Sequence, residues 1–408
     1  MVQTKAANAY LSRGVSPTKD DVHRAICGEP EGLLPGAFCK LTADPAGDPA
    51  YCAAMHADGA GTKSALAYLY YKETGDVSVF RGVAQDAVVM NLDDLACVGA
   101  VDGFLFSNTI GRNAHRVDGG VLRQIIDGYR EFAETLAGYG IRLTLCGGET
   151  ADVGDLVGTI IVDSTVFVRF PLARAVNCAN IRPGDVIVGL ASDGRAVYER
   201  EPNSGIGSNG LTAARHILLN RAYADKYPET FSPTIEAGQV YCGPYAVTDP
   251  LPQTKGQTSP PTTVGRALLS PTRTYLPILK AALDDHFPRI HGIIHCTGGG
   301  QVKCKGFGRG LHYIKDALFA PPAIFAAIRS AGGLPADELY QIFNMGHRME
   351  VYCDPAAAGD IIAIAGQFGV AAKVVGRVER NMDEISAVTD NGNKVTIAHA
   401  GGEVTFDF

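Results

Sequence analysis

Three acidic residues in the stretch AQDAVVMNLDDLACVGA (84–100) pose the first chemical question. Asp86 and Asp93 are seven residues apart, so on a helix they project from nearly the same face, with Asp94 offset by one step. No basic residue stands four positions from any of them, so water or a cation must relieve their repulsion. Magnesium suits such a set, because it takes hard oxygen ligands and shares them with substrate phosphates. A solvated polar helix face is the competing reading.

Other segments carry related chemistry. HADGAGTKSALA (56–67) places Asp58, Gly59, Gly61, Thr62 and Lys63 within six residues: an acid, a flexible backbone and a lysine, the ingredients for a metal-bound polyphosphate. Its spacing is not that of a Walker A loop, and an Asp-Gly turn is the plain alternative. CGGETAD (146–152) brings backbone close to something at Gly147 and Gly148 and offers Glu149 to a metal. HCTGGG (295–300) follows the apolar GIIH and presents Thr297, Gly298 and Gly299 as a backbone nest for phosphate. FNMGHRMEV (343–351) reads as a turn with a buried methionine.

SGIGSNGLTAAR (204–215) contains a literal G-x-G-x-x-G at Gly205, Gly207 and Gly210. A dinucleotide fingerprint needs its glycines directly after a strand. The nearest strand, DVIVGL, ends more than a dozen residues earlier, so that reading fails. What remains is a helix start at Ser208, Asn209 and Gly210, where free N–H groups and the helix dipole favour an anion. Simple capping of the helix by Ser208 or Asn209 is the alternative.

The elements that must position these residues alternate. VFVRF (166–170) reads as a strand and 84–100 as a helix with the stripe Val88, Leu92, Leu95 and Val98. GVLRQIIDGYREFAETLAGYG (120–140) is a second amphipathic helix ending on glycine, and NIRPGDVIVGLASDG (180–194) holds a strand between turns. GLTAARHILLNR, TYLPILKAALDD and PAIFAAIRSA are further helices. We expect an α+β fold of layered α/β type in two domains, 1–170 and 171–408, meeting at 171–183. The Pro/Thr/Gly-rich 243–266 is expected to be a surface insertion loop or an arm reaching a partner subunit.

Composition narrows the function classes. The 408 residues are 46% hydrophobic and 19% charged, with a formal charge of -7, and no basic run is interleaved with aromatics, so nucleic acid is not expected as a partner. No apolar leader and no 18-residue apolar span is present, so we expect a cytoplasmic protein without a membrane segment. The ten cysteines form no C-x-x-C pair and read as reduced thiols, mostly small buried hydrophobes.

In order along the chain, YLSRGVS, DGAGTK, DAVVMNLDDL with its following GA, GGETAD, PGDVIVGLAS, SGIGSNG, LLSPTRTYLPIL, IHCTGGG and IFNMG resemble the AIR synthase family, the phosphoribosylformylglycinamidine cyclo-ligases of purine biosynthesis. The resemblance implies ATP-dependent ring closure of formylglycinamidine ribonucleotide. It implies a homodimer whose N-terminal domains bind ATP and Mg²⁺ and pair their sheets into a barrel. On that analogy Asp58, Asp94 and Glu149 serve the metal, and Gly59, Gly61, Thr62, Lys63, Asp86, Gly147 and Gly148 serve the nucleotide. Ser208, Asn209, Gly210, Thr297, Gly298 and Gly299 line the substrate cleft, and Asp94, Lys63 and Asn209 carry catalysis. A sister ATP-dependent reaction on another amide or phosphorylated substrate, and a non-catalytic Mg-nucleotide-binding dimer, are the alternatives. The chain departs from the family in having Gly207 where the family reads His before Ser-Asn-Gly, which leaves His295 and His347 as candidate replacements. It also carries the insertion DGRAVYEREPN (193–203).

Overall fold

Between Ile160 and Pro171 the side chains alternate. Ile160, Val162, Ser164, Val166, Val168 and Phe170 turn inward while Ile161, Asp163, Thr165, Phe167 and Arg169 turn outward, the period of a strand with one covered face. This strand, β5 (Ile160–Pro171), is the middle of a five-stranded sheet ordered β1 (Thr42–Ala43), β2 (Tyr51–Gly59), β5, β3 (Phe104–Arg112) and β4 (Leu143–Asp152). The protein is described here by a computed structural model covering residues 8–15, 20–253, 262–383 and 391–407. Short helices α1 (Asn8–Leu11) and α2 (Asp20–Ala25) precede the sheet.

Strands β3 and β4 are parallel and joined through α5 (Gly119–Ala137); the other pairs are antiparallel. Helix α5 starts at Asp118, whose carboxylate accepts from the N–H groups of Gly120 and Val121, and buries the stripe Val121, Ile125, Tyr129, Phe132 and Leu136. With α3 (Lys63–Thr74) and α4 (Val79–Ala96) it packs on the inward face of the sheet. Helix α4 is exceptional. Almost all of it is buried, Asp86, Asn91, Asp93 and Asp94 included, because it is covered by the rest of the chain on the side away from the sheet. The solvated polar face considered for this helix is therefore absent.

Strand β6 (Val186–Ala191) begins a second, seven-stranded sheet, ordered β14 (Gly402–Asp407), β13 (Lys394–His399), β10 (Leu311–Lys315), β12 (Ala372–Arg380), β6, β11 (His347–Cys353) and β9 (Ile290–His295). Among the described residues of this sheet, β10 and β13 alone pair in parallel. A small ribbon, β7 (Asp193–Gly194) with β8 (Asn203–Ser204), follows β6, and seven helices accompany this sheet: α6 (Leu211–Leu218), α7 (Ala222–Lys226), α8 (Val264–Leu268), α9 (Leu276–His286), α10 (Ala323–Gly332), α11 (Ala336–Ile342) and α12 (Pro355–Gln367). The fold is thus mixed α+β with two open sheets; among the described residues the first keeps β1 and β4 as edges and closes no barrel.

The stretch 243–266 is not a plain surface excursion. Val247, Leu251 and Val264 are buried, Leu219 bridges Tyr245, Pro250 bridges Thr263, and α8 begins inside it. Its Pro/Thr-rich composition hid these apolar anchors; 254–261 lie outside the described residues.

The second sheet carries a fully buried ionic cluster. On β11, Glu350 Oε1 takes Lys315 Nζ at 2.5 Å and His347 Nε2 at 2.9 Å, and Oε2 accepts from Tyr352 at 2.6 Å. Burial alone pushes this carboxyl up, but the Lys315 charge and the His347 and Lys315 hydrogen bonds win and hold it at about 2. Because the folded value is depressed, the contribution is present above the usual 4.5 and is lost as pH falls through about 2. Glu350→Gln should cost about 3–5 kcal/mol at neutral pH by stranding the Lys315 ammonium. In urea melts the gap from the parent protein should shrink below pH 4.5; a gap that does not move with pH would contradict this account.

Candidate active site

The three acids of α4 are neutralised by groups brought from elsewhere in the chain. Asp86 Oδ1 accepts from Lys63 Nζ at 2.8 Å, from the Thr272 N–H at 2.7 Å and hydroxyl at 2.5 Å, and from Ser208 Oγ at 3.3 Å. Its Oδ2 is buried with no partner among the described residues. Asp93 accepts from Thr274 Oγ1 at 2.6 Å and from the Tyr275 N–H; burial is the dominant effect and raises this carboxyl to about 7. Asp94 meets His295 Nδ1 at 2.6 Å and His56 Nε2 at 3.5 Å.

The Asp94 cluster has an assigned proton arrangement. Arg348 Nε, which can only donate, lies 3.0 Å from His295 Nε2. Nε2 is therefore an acceptor, the ring proton sits on Nδ1, and it points at Asp94. Burial lowers His295 to about 4, against the pull of Asp94 and with the help of Arg348 and Lys303, so the imidazole is neutral near pH 7. Burial pushes Asp94 up, but the hydrogen bond from the His295 Nδ1–H and the nearby Lys303 charge more than reverse it, keeping the carboxylate ionised.

Several predicted residues converge here. Thr62 Oγ1 bonds Thr212 Oγ1 at 2.8 Å, tying the start of α3 to α6, and Ser208 Oγ bonds Thr272 Oγ1 at 2.9 Å. Ser208 does not cap α6. Gly210, at φ +83°, holds the N-cap position, and the Ser208 hydroxyl is drawn to the Thr272–Asp86 pair instead. Asn209 Oδ1 is enclosed without a partner among the described residues. Asp58 ends β2, with Oδ1 accepting from the Gly59 N–H, and Asn91 joins the Asp58 carbonyl to His56 and thus to Asp94. Gly59 faces Asp163 and has no room for a side chain, and Gly61 sits at φ +57°. Thr297 accepts from Lys303 Nζ at 2.5 Å, and Gly298 and Gly299 are partly open beside it.

Other predictions need correction. Lys63 is fully buried, with Nζ spent on Asp86 and on the Ser270 carbonyl at 2.5 Å, so it faces no open phosphate position. Burial lowers its pKa, partly offset by Asp86. Asp86 is likewise committed to structural donors. Glu149 is exposed on the edge strand β4 and does not join Asp58 and Asp94. The order β2-β5-β3-β4 separates β2 from β4 by three strand spacings, about 14 Å. Among the described residues, no three His, Cys, Asp or Glu side chains gather to hold a metal. Gly148 is explained by packing, since a Cβ there would lie 2.2 Å from Asn108 Oδ1 and 2.4 Å from its carbonyl, at the bulge between β3 and β4; Gly147 is exposed next to it.

Residues that carried no assignment prove central. Thr272, Arg273 and Thr274 form a strap along α4, and Arg273 makes a two-pronged pair with Glu199, which anchors the 193–203 insertion. Asn344 of the NMG turn donates to the carbonyls of Gly205 and Ile206 and accepts from Ser192, clamping the glycine loop. A cavity of about 330 Å³ beside Arg81, Glu131, Arg200 and Pro271 is lined in part by the 193–203 insertion and contains none of the residues assigned to metal, nucleotide or substrate.

With this geometry in place, similarity to known proteins can be read against it. Residues 42–169 match the family described as AIR synthase related protein, N-terminal domain. The chain is 29% identical over 346 residues to the phosphoribosylformylglycinamidine cyclo-ligase of Methanocaldococcus jannaschii, covering 85% of this chain and 81% of that protein. It is 34% identical over 200 residues to the protein of that name from Methanopyrus kandleri, covering 49% and 45%. Among solved structures, T. maritima PurL complexed with ADP shares the fold at a TM-score of 0.52 and 14% identity over 97% of this chain, which spans about half (49%) of that longer protein. No helix among the described residues is long and apolar enough to cross a membrane. The chain thus matches the AIR synthase related N-terminal domain over 42–169 and is similar over most of its length to proteins named phosphoribosylformylglycinamidine cyclo-ligase.

Proposed function

We propose that this chain is an ATP-dependent cyclo-ligase that closes formylglycinamidine ribonucleotide to aminoimidazole ribonucleotide. The observation that carries the reading is convergence around α4. DGAGTK, NLDDL, SGIGSNG, SPTRTYLP, HCTGGG and NMG, drawn from most of the chain, contribute groups to one connected network. The terminal phosphoryl group of ATP passes to the formyl oxygen and ADP leaves. An amidine nitrogen then bonds the activated carbon and loses a proton, and the carbon–oxygen bond breaks to release phosphate.

The chain's residues divide this work. Asp94, kept ionised by His295, and Asp58 are the hard oxygen donors. A pair of carboxylates without a third ligand suits magnesium delivered with nucleotide phosphates rather than a resident ion. When bound, that ion neutralises charge on the transferred phosphoryl group. The Ser208–Gly210 loop meets α4 at Asp86 and the Thr297–Gly299 loop lies near Asp94 through Lys303; both are assigned to the substrate, with Asn209 aligning it. Lys63 holds Asp86 and the strap in place.

We further assign the uncovered face of the first sheet to a second copy of the chain, the pairing that would close the two sheets into a barrel. Met55, Phe167 and Leu105 form one apolar row across β2, β5 and β3, and Met55 is 70% exposed. A sister reaction on another amide is favoured by one observation only, the lack of an imidazole at residue 207.

Two tests follow. Purified protein with Mg-ATP should release ADP when formylglycinamidine ribonucleotide is added, in step with the aminoimidazole product, and Asp94→Asn should lower that rate about 100-fold or more while leaving the melting temperature within a few degrees. ATP binding without substrate-stimulated ADP would overturn the cyclo-ligase reading. By light scattering the parent should be a dimer and Leu105→Glu a folded monomer; a monomeric parent would remove the interface.

A further inference from the structure

A buried cation stands where the family's histidine is missing. Arg348, on β11, is only 2% exposed, and no acidic side chain among the described residues pairs with it. An arginine cannot shed its proton in a protein; Asp93 offsets the charge without bonding it and the Tyr275 ring lies 5.4 Å from the guanidinium, which leaves a donor of Arg348 available to an anion that is not part of the chain. Two of its nitrogens are committed, Nε to His295 and Nη2 to the Arg273 carbonyl. The third, Nη1, donates no hydrogen bond among the described residues, and it is not one of the fully enclosed orphan atoms.

Nη1 is aimed at the glycine loop. A Cβ at residue 207 would lie 2.8 Å from it, and Gly207 has φ +69°, so both space and backbone exclude an ordinary side chain there. Neither candidate replacement imidazole occupies this place. His295 is fixed between Asp94 and Arg348, and His347 is bonded to Glu350.

We infer that Arg348, through Nη1, binds a phosphoryl oxygen at the Gly207–Gly210 loop, supplying a fixed positive charge where the family places a titratable ring. This rests on the cyclo-ligase reading for the identity of the phosphoryl group, which moves from ATP to the formyl oxygen and departs as inorganic phosphate. A guanidinium can donate to that group throughout but can neither give nor take a proton, so its role is charge stabilisation. Gly207 is the accommodation for it.

The test uses inorganic phosphate as the probe, titrated calorimetrically into the full chain with Mg-ADP present. Arg348→Met should weaken phosphate binding about tenfold or more while Mg-ADP affinity stays within about threefold, and added guanidinium ion should restore phosphate binding to Arg348→Ala. Should the methionine variant fail to fold, Arg348→Lys is measured the same way and should lose about fivefold, its single ammonium being set back from the loop. Phosphate affinity unchanged in a folded variant would overturn the inference. Parent protein that binds phosphate through Arg348 yet makes no aminoimidazole product would defeat the cyclo-ligase reading and leave this site standing.

Discussion

Three carboxylates buried on a single helix are the constraint from which the rest of this molecule is organised. Each ionised acid taken out of water costs several kcal/mol unless donors meet it, and α4 itself offers none. The donors therefore come from distant segments: Lys63 and Thr272 for Asp86, Thr274 and Tyr275 for Asp93, His295 and His56 for Asp94. The geometry of the strap follows. Asp86 and Asp93 lie about 10 Å apart along the helix axis, and the three steps from Thr272 to Tyr275 span at most about 10 Å, so the strap has to run nearly stretched beside the helix.

The same neutralisation prepares the chemistry. Holding Asp94 with a neutral imidazole, whose other nitrogen is blocked by Arg348, leaves an ionised carboxylate of fixed orientation rather than a proton donor. The strap that satisfies Asp86 also fixes Ser208, and Asn344 clamps the preceding glycines, so the loop facing the acids is held from both sides. The insertion at 193–203 belongs to this frame: Glu199 grips Arg273, and the Tyr198 hydroxyl bonds the Thr274 carbonyl.

Local periodicity made the elements legible, since the stripes in α4 and α5 and the alternation in β5 are short-range signals. Which side of an acid would be wet was not legible, because the groups that dry out α4 lie up to about two hundred residues away. Lys63 therefore read as a phosphate ligand although its charge is consumed internally, and Glu149 read as a partner of Asp58 although three strand spacings intervene. Pro- and Thr-rich composition concealed the buried anchors Val247 and Leu251. One signal for Arg348 was present. HRMEVYC puts a histidine, an arginine and a glutamate into an apolar strand, and ionisable residues in such a run demand partners.

The most direct test of this account is a double-mutant cycle on Lys63 and Asp86, read by chemical denaturation. If Lys63 neutralises Asp86, Lys63→Met should destabilise strongly, Asp86→Asn in the same chain should recover much of the loss, and the coupling should be about 2 kcal/mol or more. Lys63→Met with parental stability, weakened nucleotide binding and no coupling to Asp86 would contradict it and return Lys63 to the phosphates.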